Sequence, residues 1–128
     1  MIQYSFTYRK LNVYQLSRNL VKYVYRVVNA FPKNKVYGLG DQMRRAVVSI
    51  PSNIAEGTAK SSPREQFHFL EISYGSLMEL MCQTEISFDL NYISQDQFNE
   101  IETQIGYIYK MLSSMQGSLK TRIEGNHL

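Results

Sequence analysis

A glutamate and a histidine three residues apart are the first candidates for chemistry in this sequence. Glu65 and His68 have the Glu-x-x-His spacing that supplies a carboxylate and an imidazole to di-iron centres inside helical bundles. A complete centre needs a second such motif and two further glutamates, and the other match, Glu124 and His127, lies in a glycine-containing tail. Because Glu65 is also placed to cap a helix, we expect no metal site and no cofactor.

Other catalytic groups are not arranged for a reaction either. The chain has two histidines, and it shows no Ser-His-Asp order, no glycine-rich phosphate loop and no paired metal-ligand spacing. We therefore expect a protein that is not an enzyme, with no catalytic residues and no small-molecule substrate.

One carboxylate falls at a position that needs a partner. Glu85 shares the apolar stripe of its predicted helix with Met78 and Met81, and a buried carboxylate is stable only when it is paired. Arg44 and Arg45 are the available cations, so the sequence predicts a structural ion pair rather than a catalytic group. Truncating Glu85 to alanine is then expected to cost about 3 kcal/mol.

A row of positive charge is the main candidate for binding. Arg18, Lys22 and Arg26 recur every four residues along one helical face, and Lys33 and Lys35 follow in the next loop. Like charges at this spacing repel each other, so the row favours a polyanion such as RNA, or an acidic partner surface. A solvated face of a surface helix accounts for the same row.

The two signs of charge are segregated along the chain. Residues 1–70 carry eleven Lys and Arg against three Asp and Glu, and residues 71–128 carry three against eight, which leaves the net charge of +3. Such asymmetry indicates either a polyanion on the basic side or subunits joined basic side to acidic side.

Helices must position all of these side chains. Four segments with helical apolar periodicity, separated by short turns, predict one all-α domain over residues 1–128, an antiparallel up-and-down four-helix bundle. The predicted helices cover about residues 13–29, 41–59, 63–90 and 95–116, followed by a frayed tail at 117–128.

Local signals set the helix ends and irregularities. Pro51 lies inside the second helix and should bend it. The predicted helix starts carry capping residues, namely Asn12 with Gln15, Ser62 with Pro63 and Glu65, and Ser94 with Gln97.

Cysteine usage and hydropathy indicate the compartment. Cys82 has no second cysteine to pair with and falls in an apolar helical pattern, where a free thiol usually packs as a small core residue. No stretch approaches eighteen consecutive apolar residues, and the first residues do not have the pattern of a signal peptide. We expect a cytoplasmic protein that neither spans nor binds a membrane.

A distinctive string lies in the second helix. Residues 49–57 read Ser-Ile-Pro-Ser-Asn-Ile-Ala-Glu-Gly, with Tyr-Gly-Leu upstream at 37–39. Together with Phe31-Pro32 and Gly75-Ser76-Leu77, this resembles the bacterial four-helix-bundle family encoded within intervening sequences of 23S rRNA genes, over roughly residues 12–116.

The resemblance implies properties that the residues alone do not. It implies a homo-oligomer, commonly a five-membered ring, whose role is poorly defined for most members. A related branch, the accessory variability proteins of diversity-generating retroelements, binds a reverse transcriptase and associated RNA. This chain departs from the family pattern at Lys35, where an acidic residue is usual, and at Gly40, where a capping hydroxyl is usual.

The combined expectation is an oligomeric, non-enzymatic bundle. It binds RNA or an RNA-handling protein, such as a reverse transcriptase, through the basic face of Arg18, Lys22, Arg26, Lys33 and Lys35. Apolar surface beyond one core-facing stripe on helices one and three favours self-association, and the resemblance implies that the oligomer is a pentamer. The alternative is an assembly or scaffold module with no nucleic-acid role.

Overall fold

Four α-helices form the described part of the protein. The computed structural model describes residue 4 and residues 6–125. In this part of the chain the helices are α1 (Asn12–Asn29), α2 (Asp41–Thr58), α3 (Pro63–Asp89) and α4 (Gln95–Gly125). Short helical turns, Thr7–Lys10 and Lys33–Lys35, and a wider one, Val36–Gly40, precede α1 and α2.

The helices are arranged as an antiparallel bundle. Each helix packs against the next one in the chain, and α4 packs back against α1. The described residues contain no strand. The predicted all-α four-helix bundle is therefore confirmed.

The core collects the periodic apolar residues of every helix. Its largest fully buried side chains are Leu20, Val24 and Val28 of α1, Met43, Val47, Ile50 and Ile54 of α2, Leu77 and Leu80 of α3, and Ile101, Ile108 and Leu112 of α4. Removal of these side chains from water is the main stabilising term, at about 1.5–3 kcal/mol for each.

Helix starts follow the capping signals in two cases of three. The Ser62 hydroxyl accepts a hydrogen bond from the Glu65 backbone N–H at 3.1 Å. Ser94 and Gln97 make the full reciprocal pair, with donor–acceptor distances of 3.1 and 2.8 Å. The predicted Asn12 cap is wrong, because the preceding turn of residues 7–10 leads directly into α1 and Asn12 is already helical.

The last helix is longer than predicted. Residues 117–125 continue α4 instead of fraying, because Leu119 extends the buried stripe by two turns beyond Leu112 and is itself buried. Residues 126–128 lie outside the described part. α2 runs through Pro51 without interruption, so the bend there stays a prediction.

The buried side of α3 combines leucines with polar residues, several of them small. Ser73, Thr84 and Ser87 are buried there, beside the apolar Leu77 and Leu80. The Ser73 hydroxyl donates to the Ile50 carbonyl oxygen of α2 at 2.8 Å. The Ser87 hydroxyl donates to the Gln83 carbonyl oxygen of its own helix at 2.8 Å and lies 3.3 Å from the Met43 Sδ. Because this face points inwards, Cys82 is exposed, and its expected burial is wrong.

Candidate nucleic-acid interface

Cationic and aromatic side chains line two adjoining cavities between the outer sides of α1 and α2, here together called the α1–α2 groove. One end is a cavity of about 560 Å³, and the other is a cavity of about 480 Å³ that shares Val48 with it. The lining residues are Tyr8, Tyr14, Arg18, Val21, Lys22, Val48, Pro51, Ser52 and Ala55 at the first end, and Tyr25, Asp41, Arg44, Arg45 and Ser49 at the second.

Helical spacing explains why these side chains meet. On α1, Tyr14, Arg18, Val21 and Tyr25 follow one another at three- or four-residue steps, so they share one outer face. The intervening core residues, such as Leu20, point the other way. The amphipathic pattern that packs α1 therefore also assembles the groove wall.

The first end combines ring and cation. The Arg18 guanidinium lies 5.7 Å from the centre of the Tyr14 ring, and Tyr8 meets Tyr14 edge to face at 4.9 Å. Arg18 and Lys22 are exposed. The Arg18 guanidinium and the Lys22 ammonium group can bind phosphate, and the neighbouring rings can contact a nucleobase.

An aromatic row leads to this end of the groove. Tyr4, Phe6 and Tyr8 stack in sequence, with ring centres 6.1 and 6.2 Å apart. Tyr4 is 66% exposed and Phe6 46% exposed. The Arg9 guanidinium lies 4.7 Å from the centre of the Phe6 ring. We call Tyr4, Phe6, Tyr8 and Tyr14 the aromatic row.

Arg44 fixes the geometry of the second end. Its guanidinium donates to the Asn29 side-chain oxygen at 2.7 Å and pairs with Asp41 at 3.2 Å. It also lies 5.5 Å from the centre of the Tyr25 ring. Arg44 therefore joins the end of α1 to the start of α2, while Arg45 is exposed in the groove.

The predicted ion pair of Glu85 with Arg44 or Arg45 is wrong. Glu85 is exposed, because the inward face of α3 passes through Thr84 and Ser87 and leaves Glu85 outside. Water solvates a carboxylate at such a position, so no buried partner is needed.

The predicted basic residues divide among three places. Arg18 and Lys22 line the groove, and Lys22 also borders the cavity on the α4 side of α1. Arg26 lies on the α4 side of α1, 5.7 Å from the centre of the Tyr23 ring and beside Glu100. Lys33 and Lys35 are exposed in the turn after Pro32 and are not among the residues that line the groove.

Electrostatics distinguish the α4 side of α1 from the groove. Burial raises the pKa of Tyr23 above its usual value, and the charge of Glu100 adds to the rise, with Arg26 opposing it. Arg26 thus faces acidic residues of α4. Within the groove lining the acidic residue is Asp41, and its carboxylate is held by Arg44.

Neither a metal-binding cluster nor a membrane-spanning helix occurs among the described residues. No group of three His, Cys, Asp or Glu side chains in that part of the chain could hold a metal ion. Glu65 belongs to the cap of α3, His68 is exposed, and His127 lies outside the described residues. No described helix has the length and apolar character needed to cross a bilayer.

Comparisons with known proteins place the bundle in a family. A crystal structure from Bacteroides thetaiotaomicron VPI-5482, of a protein with unknown function from the S23 ribosomal protein family, is similar in fold. Its TM-score is 0.66 at 24% sequence identity, covering 79% of this chain and 97% of that chain. No curated protein matches the sequence. The family model for the 23S rRNA-intervening sequence protein matches residues 9–114, and the chain belongs to that family.

Proposed function

We propose that this bundle is a non-enzymatic RNA-binding protein that uses the α1–α2 groove. The observation that carries the proposal is the exposure of Arg18, Lys22 and Arg45 in one groove whose acidic residue, Asp41, is already paired with Arg44. Unpaired cations along a groove recruit phosphates by releasing condensed counterions. The interleaved tyrosines add surfaces on which bases or riboses can pack.

Self-association would strengthen binding of this kind. Ile72, Met78 and Ile86 are exposed along the outer side of α3, which supports contact between copies of the chain. We propose a homo-oligomer, a pentamer by resemblance to the family. Several grooves on one assembly would let weak phosphate contacts act together.

A scaffold without nucleic acid is the second candidate. The outer side of α3 also carries the exposed carboxylates Glu71, Glu79, Glu85 and Asp89. This acidic surface is complementary in charge to the basic groove, so a neighbouring copy could cover the groove instead of RNA. Competition between RNA and assembly distinguishes the two.

The test is a salt series of RNA retention in a filter or mobility assay. Wild-type protein is expected to retain RNA at about 50 mM salt and to lose affinity steeply towards about 200 mM. The double variant Arg18→Glu and Lys22→Glu should weaken binding to every RNA about equally, and should reduce the slope of affinity against salt by about one unit per contact removed.

A charge-matched control separates the groove from net charge. Lys110 and Lys120 are exposed on α4, and Lys110→Glu with Lys120→Glu makes the same charge change away from the groove. This control should retain most of the RNA affinity. If the wild type retains no RNA at low salt, direct binding is wrong, and the groove belongs to a protein partner or to a neighbouring copy. Light scattering on all variants reports whether assembly is intact.

A further inference from the structure

The groove has apolar and aromatic surfaces that phosphate binding alone does not require. The floor of its first end is apolar, formed by Val21, Val48, Pro51 and Ala55. Phosphates gain nothing from apolar contacts, whereas nucleobases do. The Ser52 hydroxyl in the same wall already donates to the Val48 carbonyl oxygen at 2.9 Å, and its oxygen remains able to accept a hydrogen bond.

The aromatic row continues this apolar floor into solvent. Tyr4 and Phe6 are large exposed rings at the mouth of the groove, and each stacks on its neighbour along the row. Arg9 and Arg18 each cover one ring of the row. Successive rings bordered by cations form a stacking platform with an electrostatic track beside it.

Such a platform distinguishes between forms of RNA. In an A-form duplex the bases are stacked on one another and the deep major groove excludes side chains, so a protein mainly meets phosphates and 2′-hydroxyls. Unpaired bases in loops, bulges and ends can turn outwards and stack on aromatic side chains. Only unpaired bases can pack on the apolar floor and stack on the aromatic row.

We infer that the aromatic row and the first end of the α1–α2 groove bind an unpaired RNA segment, with bases stacked on the rings and phosphates on Arg9, Arg18 and Lys22. The inference rests on the proposed function and specifies its substrate class. It assigns duplex regions to weaker, purely electrostatic contact with the cations.

Affinity for two labelled RNAs of equal length tests the inference. An unstructured oligouridylate and a blunt duplex are compared by fluorescence anisotropy at about 50 mM salt. Phe6→Leu and Tyr8→Leu remove rings but keep apolar side chains, and neither residue belongs to the buried core. Each should lower affinity for the single strand about tenfold, within the range for loss of one stacked base. Duplex affinity should change less than twofold.

Two controls isolate the role of the ring. Tyr8→Phe keeps the ring and should restore the single-strand affinity that Tyr8→Leu loses. Tyr107 is a 57% exposed tyrosine on α4, outside the groove lining, and Tyr107→Leu should also leave both affinities unchanged. Photocrosslinking of wild-type protein to bromouridine-labelled single strand gives an independent readout, expected in the peptides that contain Phe6, Tyr8 or Tyr14.

The outcomes separate the two proposals. If neither RNA binds, the proposed function fails and the inference fails with it. If both RNAs bind equally and the leucine variants lower both affinities alike or neither, RNA binding stands and the stacking site is wrong. Crosslinks confined to other helices would likewise overturn the site.

Discussion

Gly40 offers a sharp test of the packing between the turn before α2 and the core. It has ordinary helical backbone angles, φ −59° and ψ −45°, and it is buried. A Cβ atom added there would lie 2.7 Å from Val28 Cγ1, whereas at Gly38 it would meet no heavy atom within 4 Å. The two glycines therefore form a matched pair, one crowded and one open.

The magnitude follows from two opposing effects. Replacing glycine by alanine in helical backbone stabilises by roughly 0.5–1 kcal/mol through lost chain entropy. Overpacking a filled core costs about 1–3 kcal/mol, and Val28 is fully buried and stiff at χ1, so it cannot turn away freely. We expect Gly40→Ala to destabilise by about 0.5–2 kcal/mol and Gly38→Ala to be neutral or slightly stabilising.

Urea unfolding followed by circular dichroism measures both variants. Because Val28→Ala removes the methyl group that collides, the double variant Gly40→Ala and Val28→Ala should be more stable than the sum of the single effects predicts, by about 1 kcal/mol. Gly40→Ser places the same Cβ and should behave like Gly40→Ala. Equal stability of the Gly38 and Gly40 variants, together with zero coupling to Val28, would refute the reasoning.

Three further predictions concern buried and exposed polar side chains. Arg44→Ala should lower the free energy of unfolding by about 2 kcal/mol, mainly through loss of the charged hydrogen bond to Asn29. The neighbouring Arg45→Ala should lower it by less than about 0.5 kcal/mol. Similar urea midpoints for the two variants would show that the Arg44–Asn29 bond does not stabilise the fold. Glu85→Ala should change stability by less than about 0.5 kcal/mol because Glu85 is exposed. A melting temperature several degrees lower would instead indicate that Glu85 has a buried partner. Gln83 Oε1 is buried with no hydrogen-bond partner among the described atoms, so Gln83→Met should leave stability unchanged or raise it by about 1 kcal/mol in the same urea assay. A clear loss would point to a missed partner.

The sequence predicts the start and the buried stripe of α4 well, although not its end, because the apolar stripe is strong and the start has a reciprocal cap. Ile101, Ile105, Ile108 and Leu112 are buried as their spacing requires. The rotation of α3 is misjudged because apolar periodicity points to large residues such as Met78, while small hydroxyl residues occupy the buried face. Hydropathy cannot reveal burial of a serine that finds its acceptor on another helix.

The candidate site was predictable in its charges but not in its grouping. The four-residue spacing of Arg18 and Lys22 correctly places them on one exposed face. Whether Arg44 and Arg45 join that face or the core depends on the rotation of α2 against α1, which no local pattern specifies. The alternating aromatic residues at positions 4, 6 and 8 are visible in the sequence, but the charge pattern alone does not point to them.

Hydroxyl hydrogen bonds fix how α2 and α3 are aligned. Ser73 to Ile50 and Ser76 to Ser49 join the two helices at two levels, each at 2.8 Å. Apolar surfaces tolerate small sliding, but hydrogen bonds weaken steeply when distance or angle changes. A shift of α2 along α3 would break both bonds together.

α1 is not held in this way. Its link to α2 consists of apolar packing and the single tether from Arg44 to Asn29 at one end, with the turns of residues 33–40 as the connection. We therefore expect a ligand that widens the groove to displace α1 rather than the hydrogen-bonded α2–α3 pair. The proposed RNA site lies along the boundary between these two parts of the molecule.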